Sequence, residues 1–568
     1  MNNVSFSVLR RVDYDALYDG FQWCLPERFN IGVAVADRWA EREPGRTALL
    51  DFGAAIEGDA KEPRALSFGE LSSRSNQLAN GLTALGVKPG DRVALLLPQS
   101  FETVIAHCAV YKLGAIAVPL ALLFGVEALE FRLNFAGACV LFTNARGLET
   151  IAPVRDKVAG LKHIVLVDGA VAERNVHHAA EEPGKPMAFE TLLGGGSRDF
   201  TPVDSGPDDP ALMIFTSGTT GPPKGALHGH RVLLGHMPGF EMAYEFPPRG
   251  DDILWTPADW AWAGGLLNAL LPALSLGIPV AFGAFQRFDP QRAYRLMEAA
   301  KVTLAFLPPT AIRMMKAAGN LASAHELRLR AVLSAGEQLG RETYEWAERE
   351  FGFKVNEFYG QTECNLVLGS CAAIGISRAG AIGRQVPGHR VAVIDEAGAE
   401  VASGQVGQIA VRSPDPVMFL GYWNDEAATA KKFAGDWMIT GDQGVVDADG
   451  YVHFFGRDDD VITSAGYRIG PGEIEDCLAG HPAVALAAAV GKPDPVRAEI
   501  VKAYVLLREG FAGSAALADD IKAFVRARLS AHEYPREVEF VDAVPLTTTG
   551  KVIRRIFRDR ARAEAEQI

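Results

Sequence analysis

The sequence predicts an α/β protein. It reads as a large N-terminal domain of α/β subdomains with a small antiparallel β subdomain, followed by a smaller α+β C-terminal domain. Three observations predict this. The chain has 568 residues, and single hydrophobic cores stop growing at roughly 250–300 residues. Short apolar runs alternate with helical patterns through most of the chain, as they do where helices join parallel strands. From His389 the runs shorten and turn signals crowd together.

The strands expected in the first part are Arg92–Leu97, Val140–Phe142, His163–Val167, Leu212–Phe215, Thr303–Leu307 and Ala331–Ser334. Stretches such as Phe68–Leu85 and Glu102–Leu113 between them carry helical spacing. The antiparallel subdomain is expected from Val391–Ile394, Gly407–Arg412 and Tyr451–Phe455, which are separated by turn sequences such as Asp447-Ala-Asp-Gly. The charge run Arg457-Asp-Asp-Asp460 then precedes a new α/β pattern. Its helices are Pro471–Leu478, with proline in the first turn, and Ser514–Ser530, with Ile521, Phe524, Val525 and Leu529 on one face. A boundary at Asp459 therefore divides residues 1–458 from residues 459–568.

Composition narrows the partners. The net charge of −14 disfavours broad binding to nucleic acid or anionic membrane, while leaving local anion sites possible. Six scattered cysteines with no CxxC pair fit neither a disulfide framework nor a zinc site, and they suit a reducing cytoplasm. The uncharged stretch Ala263–Phe285 is long enough to span a membrane. Asn268, Pro272, Pro279 and several glycines within it predict a buried helix, turn and strand instead. His228, His230 and His236 invite a metal reading, but burial in the core is the simpler expectation. Cys364 has no evident partner base and reads as a packing residue.

The strongest chemical signal is Thr216-Ser-Gly-Thr-Thr-Gly-Pro-Pro-Lys-Gly225, directly after an apolar strand. Glycines let backbone N–H groups converge on an anion, hydroxyls add donors, and Lys224 adds charge. A nucleoside-triphosphatase P-loop requires Gly-Lys-Ser/Thr, whereas Pro223 precedes Lys224 here and Gly225 follows it. Further along come Ser334-Ala-Gly-Glu337, Tyr359-Gly-Gln-Thr-Glu363, Thr440-Gly-Asp442, Gly456-Arg457 with Asp459, Gly466-Tyr-Arg468 and Thr549-Gly-Lys551.

This ordered set, spanning nearly the whole chain, resembles the acyl-adenylate-forming superfamily. The segment Gly466-Tyr-Arg-Ile-Gly-Pro-Gly-Glu-Ile-Glu475 is most similar to the medium-chain acyl-CoA synthetases. The resemblance implies an ATP-dependent acid–thiol ligase with ATP, Mg²⁺ and coenzyme A as its cofactor and co-substrates. Residues Thr216, Ser217, Gly218, Thr219, Thr220 and Lys224 would hold the β- and γ-phosphates. Thr362 would touch the α-phosphate, and Glu363, with Thr220, would bind Mg²⁺, a hard cation that takes oxygen ligands. Tyr359 would stack on adenine beside Gly336 and Glu337, and Asp442 would accept from the ribose hydroxyls near Arg457. Lys551 would reach the α-phosphate and carboxylate during adenylation and then swing away about Asp459. Gly466 would line the thiol tunnel, and Arg468, Arg497, Arg526 and Tyr534 would meet the nucleotide of coenzyme A. One departure is Pro545-Leu546, where relatives usually have Pro-Lys; it bears on modification of the lysine rather than on catalysis.

The same resemblance gives the acyl pocket as Trp262, Ala263, Gly264, Ala335 and Gly360. Acetate-specific relatives carry tryptophan at the position of Gly360, so a larger acid is expected: medium-chain, branched or aromatic. A carrier-protein thiol as acceptor, a luciferase-like oxygenase and an inactive binding protein on the same fold remain alternatives, and a homo-oligomer stays open.

Overall fold

The computed structural model describes residues 12–58, 62–168, 185–194, 196–216, 223–283, 285, 287–458, 460–464, 467–494, 497–529, 534–547 and 551–565, with Tyr467 and Arg468 described by backbone alone. Among the described residues, two large sheets dominate the N-terminal domain. One runs in the order Gly421–Tyr422, Gly225–Gly229, Pro210–Phe215, Ile116–Pro119, Arg92–Leu96, Val140–Thr143, His163–Leu166 and Pro186–Ala188. The other runs Arg384–Gln385, Cys364–Gly369, Asn356–Gln361, Ala331–Ala335, Leu304–Phe306, Leu254–Trp255, Val280–Phe282, Thr47–Asp51 and Arg64–Ser67. The central pairings of both sheets are parallel, matching the strand–helix alternation of the sequence.

The largest apolar cluster draws Val93, Leu95 and Val140 from one sheet and Leu254, Val280, Leu304 and Leu333 from the other. Residues of helices Phe68–Ala84, Phe101–Lys112 and Val232–Ala243 join the same cluster, so these helices pack between the sheets. Helix Phe68–Ala84 starts at a capping box. The Ser67 hydroxyl accepts from the Glu70 amide, and the Glu70 carboxylate accepts from the Ser67 amide. Its Leu71, Leu78 and Leu82 are fully buried, each contributing about 1.5–3 kcal/mol.

The stretch Ala263–Phe285 folds as helical turns over 263–275 followed by strand Val280–Phe282. No described helix is long and apolar enough to cross a membrane. His228, His230 and His236 are buried. Burial lowers their pKa values to about 3, 4 and 4. The His230 ring accepts from the Ile31 amide, and the His236 ring pairs with the Val232 carbonyl.

The antiparallel subdomain joins Val391–Ile394, Val406–Arg412, Trp437–Val446 and Phe433–Ala434, with Val452–Arg457 paired to Trp437–Val446. Beyond it, a separate sheet joins Tyr467–Ile469, Ile462–Ser464, Ala498–Leu507 and Val484–Asp494, with Glu537–Phe540 parallel to Ala498–Leu507. Helix Ala515–Arg528 covers this sheet through Ile521 and Val525. At the junction, Asp458 accepts from Gln443 at 2.6 Å, whereas Asp460 pairs with Arg554 at 3.1 Å and Arg558 at 3.0 Å. Two residues apart, the chain is thus tied first to the antiparallel subdomain and then to helix Arg554–Ala565. Asp459 lies outside the described residues.

Candidate active site

The site collects where the second large sheet meets the antiparallel subdomain. Strands Asn356–Gln361 and Cys364–Gly369 form a hairpin whose two-residue turn is Thr362-Glu363. Glu363 therefore belongs to a β-hairpin, not to the helix N-terminus that its position after an apolar strand would allow. It is buried, and one of its carboxylate oxygens accepts from the Tyr422 phenol. Among the described residues, its other oxygen has no hydrogen-bond partner. A buried carboxylate with one oxygen held and one open suits a hard cation.

Tyr422 comes from the short strand that edges the first sheet. Its ring lies 5.0 Å from the Lys224 ammonium, so it links the phosphate loop to Glu363. No motif pointed to Tyr422. The loop closes at its base where the Thr216 amide donates to the Lys224 carbonyl at 2.8 Å. Ser217, Gly218, Thr219 and Thr220 lie outside the described residues.

The preceding strand residues face Asp442. The Tyr359 phenol donates to Asp442 Oδ2 at 2.6 Å, Gln361 donates to the same oxygen at 3.2 Å, and Arg457 meets Oδ1 at 3.2 Å. Asp442 and Arg457 are direct cross-strand partners, which explains their spacing in the sequence. Lys432, another residue without a motif, bonds Gln361 Oε1 at 2.9 Å and the Ile439 carbonyl at 3.0 Å. Burial raises the pKa of Asp442, opposed by Arg457, Tyr359, Lys551 and Lys432. Tyr359 is raised well above the ordinary phenol value, by burial first and then by the Asp442 charge.

Gly336 adopts φ +99, which only glycine takes without strain, and turns the chain into Glu337. The Glu337 carboxylate is held by Thr310 and Arg313, each at 2.8 Å. Lys551 arrives from the other domain. Its electrostatic neighbours are Glu337, Asp442 and Arg457, and desolvation of its ammonium lowers its pKa against the pull of the two carboxylates. The structure thus joins Tyr359, Asp442 and Arg457 by hydrogen bonds and makes Lys551 an electrostatic neighbour of Glu337, Asp442 and Arg457.

Around the expected acyl pocket, the Trp262 ring packs edge-on against Phe124 at 5.7 Å, and Ala335 is buried at the end of its strand. Two glycines prove to be packing requirements. A Cβ on Gly264 would lie 2.9 Å from the Phe306 ring, and one on Gly360 would lie 2.6 Å from the backbone of Asn365 and Leu366. Their smallness therefore does not by itself open space, although Trp262, Ala263, Gly264 and Gly360 each keep a partly exposed face. Behind Gly360, Asn365 donates to the Asn268 side chain, a buried polar pair that no motif announced.

The proposed coenzyme A contacts are less gathered. The Arg497 amide donates to Asp494 at 2.8 Å, and Arg526 lies over the Tyr534 ring at 5.3 Å. Gly466 is outside the described residues, and so is the Arg468 side chain. Cys364 is buried, with its pKa raised by burial, as a packing thiol would be.

This two-domain α/β architecture, with a lysine brought across to an acidic, hydroxyl-rich cleft, defines an adenylate-forming ligase. The chain belongs to the AMP-binding enzyme family, whose model matches residues 36–423; the AMP-binding enzyme C-terminal domain matches residues 473–551. It is 34% identical to the acetyl-coenzyme A synthetase of Bacillus subtilis (strain 168), covering 96% of this chain and 94% of that one. Acyl-coenzyme A synthetase ACSM3, mitochondrial, of Rattus norvegicus is 32% identical, with 96% and 93% covered. The crystal structure of the anthranilate CoA ligase AuaEII in complex with anthranoyl-AMP superposes with a TM-score of 0.85 at 28% identity, covering 95% of this chain and 99% of that one. The protein is an acid–thiol ligase of the acyl-CoA synthetase type.

Proposed function

We propose that the enzyme activates a carboxylic acid larger than acetate, medium-chain, branched or aromatic, and delivers it to coenzyme A. The observation that carries the mechanism is Lys551 of the C-terminal domain facing Glu337, Asp442 and Arg457 in one cleft. A carboxylate resists attack by a thiol until one oxygen becomes a good leaving group. In the first step the carboxylate attacks the α-phosphorus of ATP, the bond to the β-phosphate oxygen breaks, and pyrophosphate leaves. In the second, the thiolate of coenzyme A attacks the acyl carbon and AMP leaves.

The chain's residues divide this work. The 216–224 loop binds the β- and γ-phosphates. Thr362 contacts the α-phosphate, Tyr359 stacks on adenine, and Asp442 takes the ribose hydroxyls in place of the Tyr359 phenol. Lys551 stabilises the negative charge that develops between carboxylate and α-phosphate, where a preorganised donor acts most strongly. Glu363 and Thr220 would hold Mg²⁺, which neutralises phosphate charge when bound. The C-terminal domain then turns about Asp459, withdrawing Lys551 and presenting the Gly466 segment to the thiol. Six cysteines with no disulfide among the described residues support a cytoplasmic setting.

The substrate class rests on the lack at residue 360 of the tryptophan that acetate enzymes carry, not on free space at Gly360 itself, and a similar structure whose name specifies anthranilate supports it. The test supplies ATP, Mg²⁺ and coenzyme A with acids from acetate to octanoate and benzoate, following AMP and thioester together. Equal AMP and thioester, with higher kcat/KM for the larger acids, is the expected result. ADP in place of AMP would refute adenylation, a preference for acetate would refute the substrate class, and AMP without thioester would point to a carrier-protein acceptor.

A further inference from the structure

Helix Arg341–Phe351 follows the Glu337 turn, and its own first residues cannot cap it. The N-cap position is Gly340, which has no side chain to accept from the orphan amides of the first turn. The missing acceptor comes from the other domain. Asp476, on helix Pro471–Ala479, accepts from the Arg341 amide at 2.9 Å. Gly340, at φ +80, leaves room for this contact: a Cβ there would lie 2.1 Å from Asp476 Oδ1. Beside it, Gly472 approaches so closely that its Cβ would meet Gln338 Oε1 at 2.2 Å.

The neighbours tie this contact to the active site. Arg313 attracts Asp476 electrostatically and also holds Glu337 at 2.8 Å. Glu337 is in turn an electrostatic neighbour of Lys551. A shared helix cap therefore spans the two domains, one turn of chain from the nucleotide cleft, in the arrangement that brings Lys551 to Asp442.

We propose that Asp476 is a positioning residue that holds the C-terminal domain in the adenylation arrangement by capping helix Arg341–Phe351, and that Gly340 is glycine to admit it. This rests on the two-step ligase reading. Rotation of the domain would break the cap, so Asp476 favours the first half-reaction and not the second.

Two readouts test it, one independent of the reaction. In the ligand-free protein, hydrogen exchange at the Arg341 amide should quicken in Asp476→Ala and in Gly340→Ala, whose methyl displaces the carboxylate. In Asp476→Asn, which keeps an acceptor, protection should largely persist. Acid-dependent ATP–pyrophosphate exchange should fall roughly fivefold in the two alanine variants, the scale of one lost helix cap. Thioester formation from presynthesised acyl-adenylate should stay near the wild-type rate. Unchanged amide protection in Asp476→Ala overturns the cap, whether or not the chain proves to be a ligase. Equal loss of both half-reactions, or none, overturns its role in domain position.

Discussion

The phenol of Tyr359 donates to the carboxylate of Asp442 across 2.6 Å, joining the second large sheet to the antiparallel subdomain. Both residues are proposed to bind the nucleoside, one by its ring and the other by its charge. The phenol therefore holds an acceptor that the ribose would use. Asp442→Ala removes that acceptor and leaves Arg457 without its carboxylate. Hydrogen bonds to charged groups contribute about 1.5–3 kcal/mol each. The expected result is a KM for ATP raised roughly 10–100-fold with kcat changed much less, measured by initial rates at saturating acid. An unchanged KM would remove Asp442 from the nucleoside site.

A pH prediction follows from Lys551. Desolvation of its ammonium lowers its pKa, and Arg457 adds to the fall, against the pull of Glu337 and Asp442. Only the ammonium form carries the charge that adenylation uses, and that form is lost as pH rises through the lowered pKa. Pyrophosphate exchange should thus decline on the alkaline side before pH ~10.4, where an ordinary lysine titrates. Lys551→Arg, whose charge persists, should delay the decline even if its rate is lower. An alkaline limb unchanged in Lys551→Arg would assign that limb to another group.

Glu363 should govern the metal requirement. Glu363→Gln removes the negative charge while keeping the shape that Tyr422 grips. The Mg²⁺ concentration for half-maximal exchange should rise at least tenfold, and chelation with EDTA should abolish wild-type exchange reversibly. Tyr422→Phe should shift the requirement by a smaller factor, because it only orients the carboxylate. A Glu363→Gln enzyme with an unaltered Mg²⁺ profile would exclude Glu363 as the ligand.

The acyl pocket calls for a substitution at Ala263 rather than Gly360. A side chain at Gly360 meets the backbone of Asn365 and Leu366, so Gly360→Trp should lower the thermal midpoint by several degrees before it selects among acids. Ala263→Leu adds three carbons at a partly exposed position. At ~0.8 kcal/mol per methylene excluded, kcat/KM for octanoate should fall roughly 60-fold while that for acetate moves little. An unchanged chain-length profile in a folded Ala263→Leu protein would remove Ala263 from the pocket.

Much of the fold was legible because its periodicities are local. Val391–Ile394 matches its expected bounds, Arg92–Leu96 and Phe68–Ala84 end one residue early, and Pro471–Ala479 runs one residue further. Asp442 and Arg457 were identifiable from motif order, and their cross-strand pairing supplies the reason for their spacing. What remained hidden depends on contacts distant in sequence. Tyr422 reaches Glu363 over 59 residues, and Asp476 caps a helix 135 residues away. Glycine was the least legible residue. Gly264 and Gly360 read as open space from sequence, yet each is small because a neighbour already fills the Cβ direction. Composition cannot separate a glycine that leaves room from one that has none.

The most direct test of the account separates the two half-reactions in Lys551→Ala. Pyrophosphate exchange should fall by roughly 10²–10³-fold, the scale for removing one preorganised donor. The same variant, given presynthesised acyl-adenylate and coenzyme A, should form thioester at close to the wild-type rate. Equal loss in both measurements would contradict a lysine that serves adenylation and then withdraws.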